Sequence, residues 1–163
     1  MKPTGKLTPF TFLASFFGIG FLPGMPGTWG SLAAFGIYLL LLFWGVALPS
    51  LLIGIPLMVG LCLLAVMIST RAEYTLGHDS GHIVIDEVCG YIVSVMLLPQ
   101  SWLIGLYGFA LFRVFDIAKP WPVSVSQKLP RGWGVVIDDL LAGVYANLIM
   151  QTLVRIYPKF FGL

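Results

Sequence analysis

The sequence predicts an all-α, polytopic membrane helical bundle with about five or six membrane-embedded helices, some short or re-entrant. Three observations carry that expectation. Of the 163 residues, 58% are hydrophobic and only 10% charged, against about 25% charged in ordinary soluble domains. Apolar runs alternate along the chain with short polar punctuation. Every carboxylate falls within two of the polar stretches, so none is spent on solubility elsewhere. A chain with mean hydropathy +0.96 could fold in water only with a largely apolar surface, and the bilayer is the simpler solvent. The length suits one integral-membrane domain, residues 1–163. The net charge of +2 is small and dispersed, which argues against nucleic acid as a partner.

The elements follow in order. Residues 7–22 form the first apolar run, behind Lys2 and Lys6. Because "PGMPGTWGS" follows instead of a small-residue cleavage site, the run is expected to stay in the mature chain, as a span or a re-entrant segment. Residues 32–48 and 51–69 approach the ~20 residues a crossing needs and read as a hairpin turned at Pro49-Ser50. Residues 88–98 and 102–112 read as a second, shorter hairpin. Its arms must borrow length from polar flanks near Ile83 and Ile117, or stay shallow. Residues 135–156 are the last apolar segment.

Two hairpins leave three polar segments, 22–31, 70–87 and 113–139, on one side of the membrane. Arg71, Arg113, Lys119, Lys128 and Arg131 make that side cytoplasmic by the positive-inside rule, with Arg155 and Lys159 opposite. Glu73, Asp79, Asp86, Glu87, Asp116, Asp138 and Asp139 all lie in these segments. Carboxylates at a membrane boundary cost several kcal/mol unless paired or hydrated. Arg113, Lys119 and Arg131 supply some compensation, and a divalent ion would supply the rest. Oxygen-only ligands favour a hard cation such as Mg²⁺. Structural ion pairing explains single acids well, Glu73 near Arg71 for instance, but not the whole pattern.

Spacing refines the reading. Arg113, Asp116 and Lys119 recur at i, i+3 and i+6, one metal ligand between two phosphate-binding cations on a helix face. Pro120 then ends that helix. Asp138 and Asp139 open the last helix, where simple capping accounts for one of them but not both. The Gly/Pro-rich "FLPGMPGTWGSL", with Thr28, Gly30 and Ser31 before a helix, is a candidate phosphate cradle. His78 and His82 have helical ligand spacing, but Gly77 and Gly81 make them loop histidines that hydrogen-bond. Cys62 and Cys89 form neither a disulfide framework nor a zinc site. Cysteine-phosphatase, phospho-aspartate and nucleophile-elbow patterns are absent, which leaves chemistry based on carboxylates, metal and basic side chains.

Four strings in order, "PGTWGSL", "HDSGHIVIDEVCG", "FRVFDIAKPWPV" and "GWGVVIDDLLAG", resemble the phosphatidylglycerophosphatase A family, and the likeness covers roughly residues 10–156. The resemblance implies a bacterial inner-membrane, Mg²⁺-dependent phosphatase that converts phosphatidylglycerophosphate to phosphatidylglycerol at the cytoplasmic face, with an anionic phospholipid as substrate. Residue by residue, it makes Asp86, Glu87, Asp116, Asp138 and Asp139 the metal-ligand pool. Asp79, Asp86, Glu87, Asp116, Arg113 and Lys119 become the catalytic set. Thr28, Gly30, Ser31, Arg113 and Lys119 become the phosphate contacts. The competing readings are a phosphatase for other phospholipid phosphates and an ion-coupled transporter. A transporter would place acids at mid-membrane in an inverted repeat, and no repeat is visible.

Overall fold

A computed structural model describes residues 7–78 and 80–163, whose regular structure is all helical, with no strand among them. The helices are α1 (Pro9–Ala14), α2 (Pro26–Phe43), α3 (Leu51–Leu76), α4 (Ile85–Val95), α5 (Trp102–Ala118), α6 (Val123–Ser126) and α7 (Gly132–Ile156). Single 3₁₀ turns cover Ile19–Phe21 and Pro158–Phe161.

Three of these are long and apolar enough to cross a membrane: α2 with 18 residues, α3 with 26 and α7 with 25. Pro26 opens α2, where its missing N–H costs nothing. Gly77, at φ +98°, ends α3 in a conformation that a side chain would resist. The 7–22 run is not a span. Helix α1 lasts six residues, closed at its start by a reciprocal Thr8–Thr11 cap. The chain then folds back through Phe16, Phe17 and Gly18, all at positive φ. The end of α1 is tied to the lead-in of α4, where the Val84 N–H donates to the Ala14 carbonyl at 2.9 Å.

The second hairpin takes the shallow course. Helix α4 has 11 residues, about 16 Å at 1.5 Å per residue, and cannot cross a ~30 Å core. It does not reach back to Ile83, because residues 83–84 lead into it without helical structure. A helix that stops short inside an apolar bundle leaves carbonyls without partners, which hydrocarbon cannot satisfy. Asn147 of α7 answers this. Its side-chain amide lies 3.0, 3.2 and 2.8 Å from the carbonyls of Val93, Ser94 and Met96.

Helix α4 is the centre of the bundle, packed on α2, α5, α7 and α3. Its crossing with α7 is made close by glycine. A Cβ on Gly143 would stand 2.3 Å from the Gly90 carbonyl oxygen, and one on Gly90 would stand 2.4 Å from the Phe112 ring. Small residues allow this approach, and in a membrane van der Waals fit holds helices together in place of the hydrophobic effect. Gly143→Ala should therefore destabilise the protein by about 1–3 kcal/mol through overpacking, read as a lower thermal midpoint in detergent. Gly36→Ala, with nothing within 4 Å of its added methyl, should be neutral or stabilising by up to ~1 kcal/mol.

Candidate metal centre

The Gly90–Gly143 contact fixes what lies one helical turn away. Asp86 is four residues before Gly90 and Asp139 four before Gly143. The two helices start at the same end of the bundle, so their close crossing brings those carboxylates together. Glu87, next to Asp86 in the first turn of α4, completes a group. One carboxylate oxygen from each of Asp86, Glu87 and Asp139 lies within 4.8 Å of the others. Asp86 is 6% exposed and Asp139 3%.

The N-terminus of α2 closes on this group from another side. A Cβ on Gly27 would fall 2.1 Å from Glu87 Oε1 and 3.3 Å from Arg113 Nη1. Only glycine lets α2 come this near. Gly27→Ala must push the Glu87 carboxyl aside, and a displacement near 1 Å at a reacting site costs about 10²-fold in rate. The expected outcome is that loss in phosphate release with an unchanged helical circular-dichroism spectrum.

The cations stand beside the group. Arg113 Nη1 donates to Asp116 Oδ2 at 2.5 Å and lies 3.4 Å from Ser31 Oγ. Lys119 Nζ reaches Asp138 Oδ2 at 2.5 Å and Asp116 Oδ1 at 3.7 Å. Partial burial favours the neutral amine of Lys119, but the hydrogen bond and charge of Asp138, with Asp116 and Asp139, outweigh it and hold its pKa above the ordinary value. Lys119 is not on the helix, as the i, i+3, i+6 row supposed. Helix α5 ends at Ala118 and Lys119 turns left-handed, φ 42°, which swings its side chain across to α7.

Five carboxylates, Asp86, Glu87, Asp116, Asp138 and Asp139, thus share two cations, and both cations are engaged by Asp116 and Asp138. Asp86 Oδ1, Glu87 Oε2, Asp138 Oδ1 and Asp139 Oδ2 are buried with no hydrogen-bond partner. Carboxylates this close, each with a buried oxygen that nothing donates to, repel one another when ionised, and desolvation adds to the cost. A hard divalent cation removes both penalties, and a set of oxygen donors only is the set such an ion takes. The residues fit a hard divalent cation.

Other expected site residues fall elsewhere. Asp138 and Asp139 do not open their helix: α7 begins at Gly132, so they lie about two turns into it, buried and unavailable for capping. The helix starts early because Gly132 packs on α3, its N–H donating to Thr70 Oγ1 at 3.2 Å. Gly30 packs against Val84, where an added Cβ would clash at 2.8 Å. Ser31 is fully buried and its hydroxyl donates to the Gly27 carbonyl at 2.8 Å. Thr28 is half-buried. Asp79 lies outside the described residues. His78 pairs with Glu73 at 2.8 Å and His82 with the Gly20 carbonyl at 2.9 Å, the hydrogen-bonding roles expected of them. Sequence reasoning passed over Gly90, Gly143 and Asn147, and read Gly27 only as one glycine of the candidate phosphate cradle, not as the close approach to Glu87. The shared Asp-x-x-x-Gly spacing of the two helices was the available signal for two of the glycines. An amide inside an apolar helix was the signal for Asn147.

Residues 12–154 match the model of the family described as phosphatidylglycerophosphatase A. The chain belongs to that family. Among relatives, it is 41% identical to phosphatidylglycerophosphatase A of Haemophilus influenzae, covering 92% of this chain and 91% of that one. It is 36% identical to phosphatidylglycerophosphatase A of Escherichia coli over 92% and 86%. A Bacteroides thetaiotaomicron protein named as a candidate phosphatidylinositol-3-phosphatase is 34% identical over 82% and 86%. No solved structure matches. As a member of the phosphatidylglycerophosphatase A family, the chain is a phosphatase, and every residue of the acidic centre lies within the matched span.

Proposed function

We propose that the protein hydrolyses the phosphomonoester of phosphatidylglycerophosphate to give phosphatidylglycerol, with Mg²⁺ at the Asp86–Glu87–Asp139 group, on the cytoplasmic face of a bacterial inner membrane. One observation carries the metal assignment: the buried carboxylates of Asp86 and Asp139 and the part-buried one of Glu87 converge within 4.8 Å, and each keeps a buried oxygen without a hydrogen-bond partner. The family and its two phosphatidylglycerophosphatase relatives support the substrate. The basic bias of the polar segments supports the cytoplasmic face.

Asp86, Glu87 and Asp139 would hold the ion, with Asp138 and Asp116 next to it. Bound there, Mg²⁺ would polarise the phosphoryl group and lower the pKa of a water. Arg113 and Lys119 face the phosphoryl oxygens and offset their negative charge, as positioned cations do in phosphoryl transfer. Ser31 steadies Arg113 from behind, and Thr28 sits at the rim where the headgroup enters. A water oxygen forms the new bond to phosphorus, and its proton goes to a carboxylate oxygen of the group. The bond to the glycerol oxygen breaks, and that oxygen takes the proton back from the carboxyl group and leaves as a hydroxyl.

The test is phosphate release from phosphatidylglycerophosphate in detergent micelles. Release that needs Mg²⁺ and stops with EDTA supports the proposal. Release undiminished by EDTA contradicts the metal, and no release from this lipid with brisk release from phosphatidylinositol 3-phosphate contradicts the substrate.

A further inference from the structure

Around α4 the surrounding helices run α2, α5, α7, α3, each packed on the next. The ring does not close, because α2 and α3 barely touch although they are consecutive in the chain. In the seam lies an apolar groove of about 230 Å³, with Val88, Tyr91 and Val95 of α4 as floor and Ala34, Ile37 and Met58 among its walls. Its far end is closed by the α2–α3 loop at Leu48 and Pro49. Gln100 clamps that loop, donating to the Val46 carbonyl at 3.0 Å and accepting from the Leu48 N–H at 3.2 Å.

The near end of the groove meets the acidic centre on two helices at once. On α4 it begins at Val88, the residue after Glu87. On α2 it begins at Ala34, one turn beyond Ser31, which Arg113 touches. From Gly27, beside Glu87, to Ala34 is seven residues, about 10 Å along the helix. The headgroup between the terminal phosphate and the acyl ester, a glycerol, a phosphodiester and part of a second glycerol, covers that distance in a bent course.

We propose that this groove seats one acyl chain of the lipid whose phosphate lies at the Asp86–Glu87–Asp139 group; the assignment rests on the lipid-phosphatase reading above. A helix of a second copy, at about 10 Å across, is too broad for the seam, whereas a single flexible chain fits it. The groove adds little affinity, since lipid tails are as apolar as the leucines that line it. It adds position, holding the headgroup over the carboxylates.

Two measurements test this. Gly54 lines the far end, and an added Cβ there would meet only Met96 Cε and Pro49 O at 3.4 Å, with Pro49 Cγ at 3.7 Å, so Gly54→Leu shortens the groove without forcing the backbone. It should lower kcat/KM for dipalmitoyl substrate by about tenfold and leave the dihexanoyl substrate unchanged. Ile37→Trp, from the opposite wall, should do the same if Gly54→Leu fails to fold. Equal effects on both chain lengths would overturn the proposal. Independently, a non-hydrolysable phosphonate analogue with a diazirine midway along one acyl chain is photolysed with wild-type protein in phosphatidylcholine vesicles. Adducts should concentrate on residues 34–41 and 88–96. Adducts spread over the outward residues Leu148 and Ile149, or gathered in the second apolar cavity beside Trp133 and Leu140, would overturn it. Labelling needs no turnover, so a groove that fails to label in a working phosphatase is distinguishable from a protein that releases no phosphate at all.

Discussion

Asp139→Asn and Asp86→Asn should each lower Mg²⁺-dependent phosphate release by at least about 10³-fold, the scale of the several kcal/mol that a bound metal contributes. Neither change should unfold the protein. Both residues are buried and unpaired at one oxygen, and each sits among like charges. Replacing one carboxylate by a neutral amide of the same shape relieves repulsion in the metal-free protein. Its thermal midpoint without Mg²⁺ should then stay level or rise, while the upward shift that added Mg²⁺ gives the wild type shrinks, because a ligand stabilises only the state that binds it. Loss of activity with a lower metal-free midpoint would instead mark these acids as structural.

Lys119→Ala should separate the second pair of acids from the first. The ammonium bridges Asp138 on α7 and Asp116 on α5, so its removal leaves a buried Asp138, 4% exposed, without its partner. Breaking one side of a buried pair costs about 3–5 kcal/mol, and Lys119 is partly solvated, which places this site at or below the lower end. Activity should fall by about 10²–10³-fold, the cost of losing one preorganised group that stabilises developing charge. Lys119→Arg should restore stability more fully than activity, because the planar guanidinium can pair with Asp138 but carries its charge differently. Wild-type kcat in Lys119→Ala with only a lower thermal midpoint would assign the lysine to packing alone.

Much of this was legible in the sequence. Hairpin arithmetic placed three polar segments at one face, and Gly27, Glu87, Arg113 and Asp138 do meet at one end of the bundle. The Arg113–Asp116 pair was readable from helical spacing, since i and i+3 are neighbours on any helix. What lay beyond reach was contact between helices. Spacing alone could not say that Lys119 leaves its helix to reach α7, or that Gly30 packs on Val84 while Gly27 meets Glu87. Those outcomes depend on which glycines let backbones approach, and on how far each helix extends before a turn. The start of α7 at Gly132 instead of Val135 is such a case, set by packing on α3 that no local pattern encodes. Likewise the short α4 is stable only because Asn147, more than fifty residues away in the chain, covers its carbonyls.

The central claim, that Asp86, Glu87 and Asp139 hold a divalent cation, is tested most directly by metal binding itself. Mn²⁺ titrated into the detergent-solubilised protein and followed by electron paramagnetic resonance reports free and bound ion without reference to turnover. Wild-type protein should bind Mn²⁺ that Mg²⁺ displaces, and Glu87→Gln and Asp139→Asn should each lose that binding while Glu73→Gln keeps it. Equal binding in all of these proteins, or none in wild-type protein that still releases phosphate, would contradict the account.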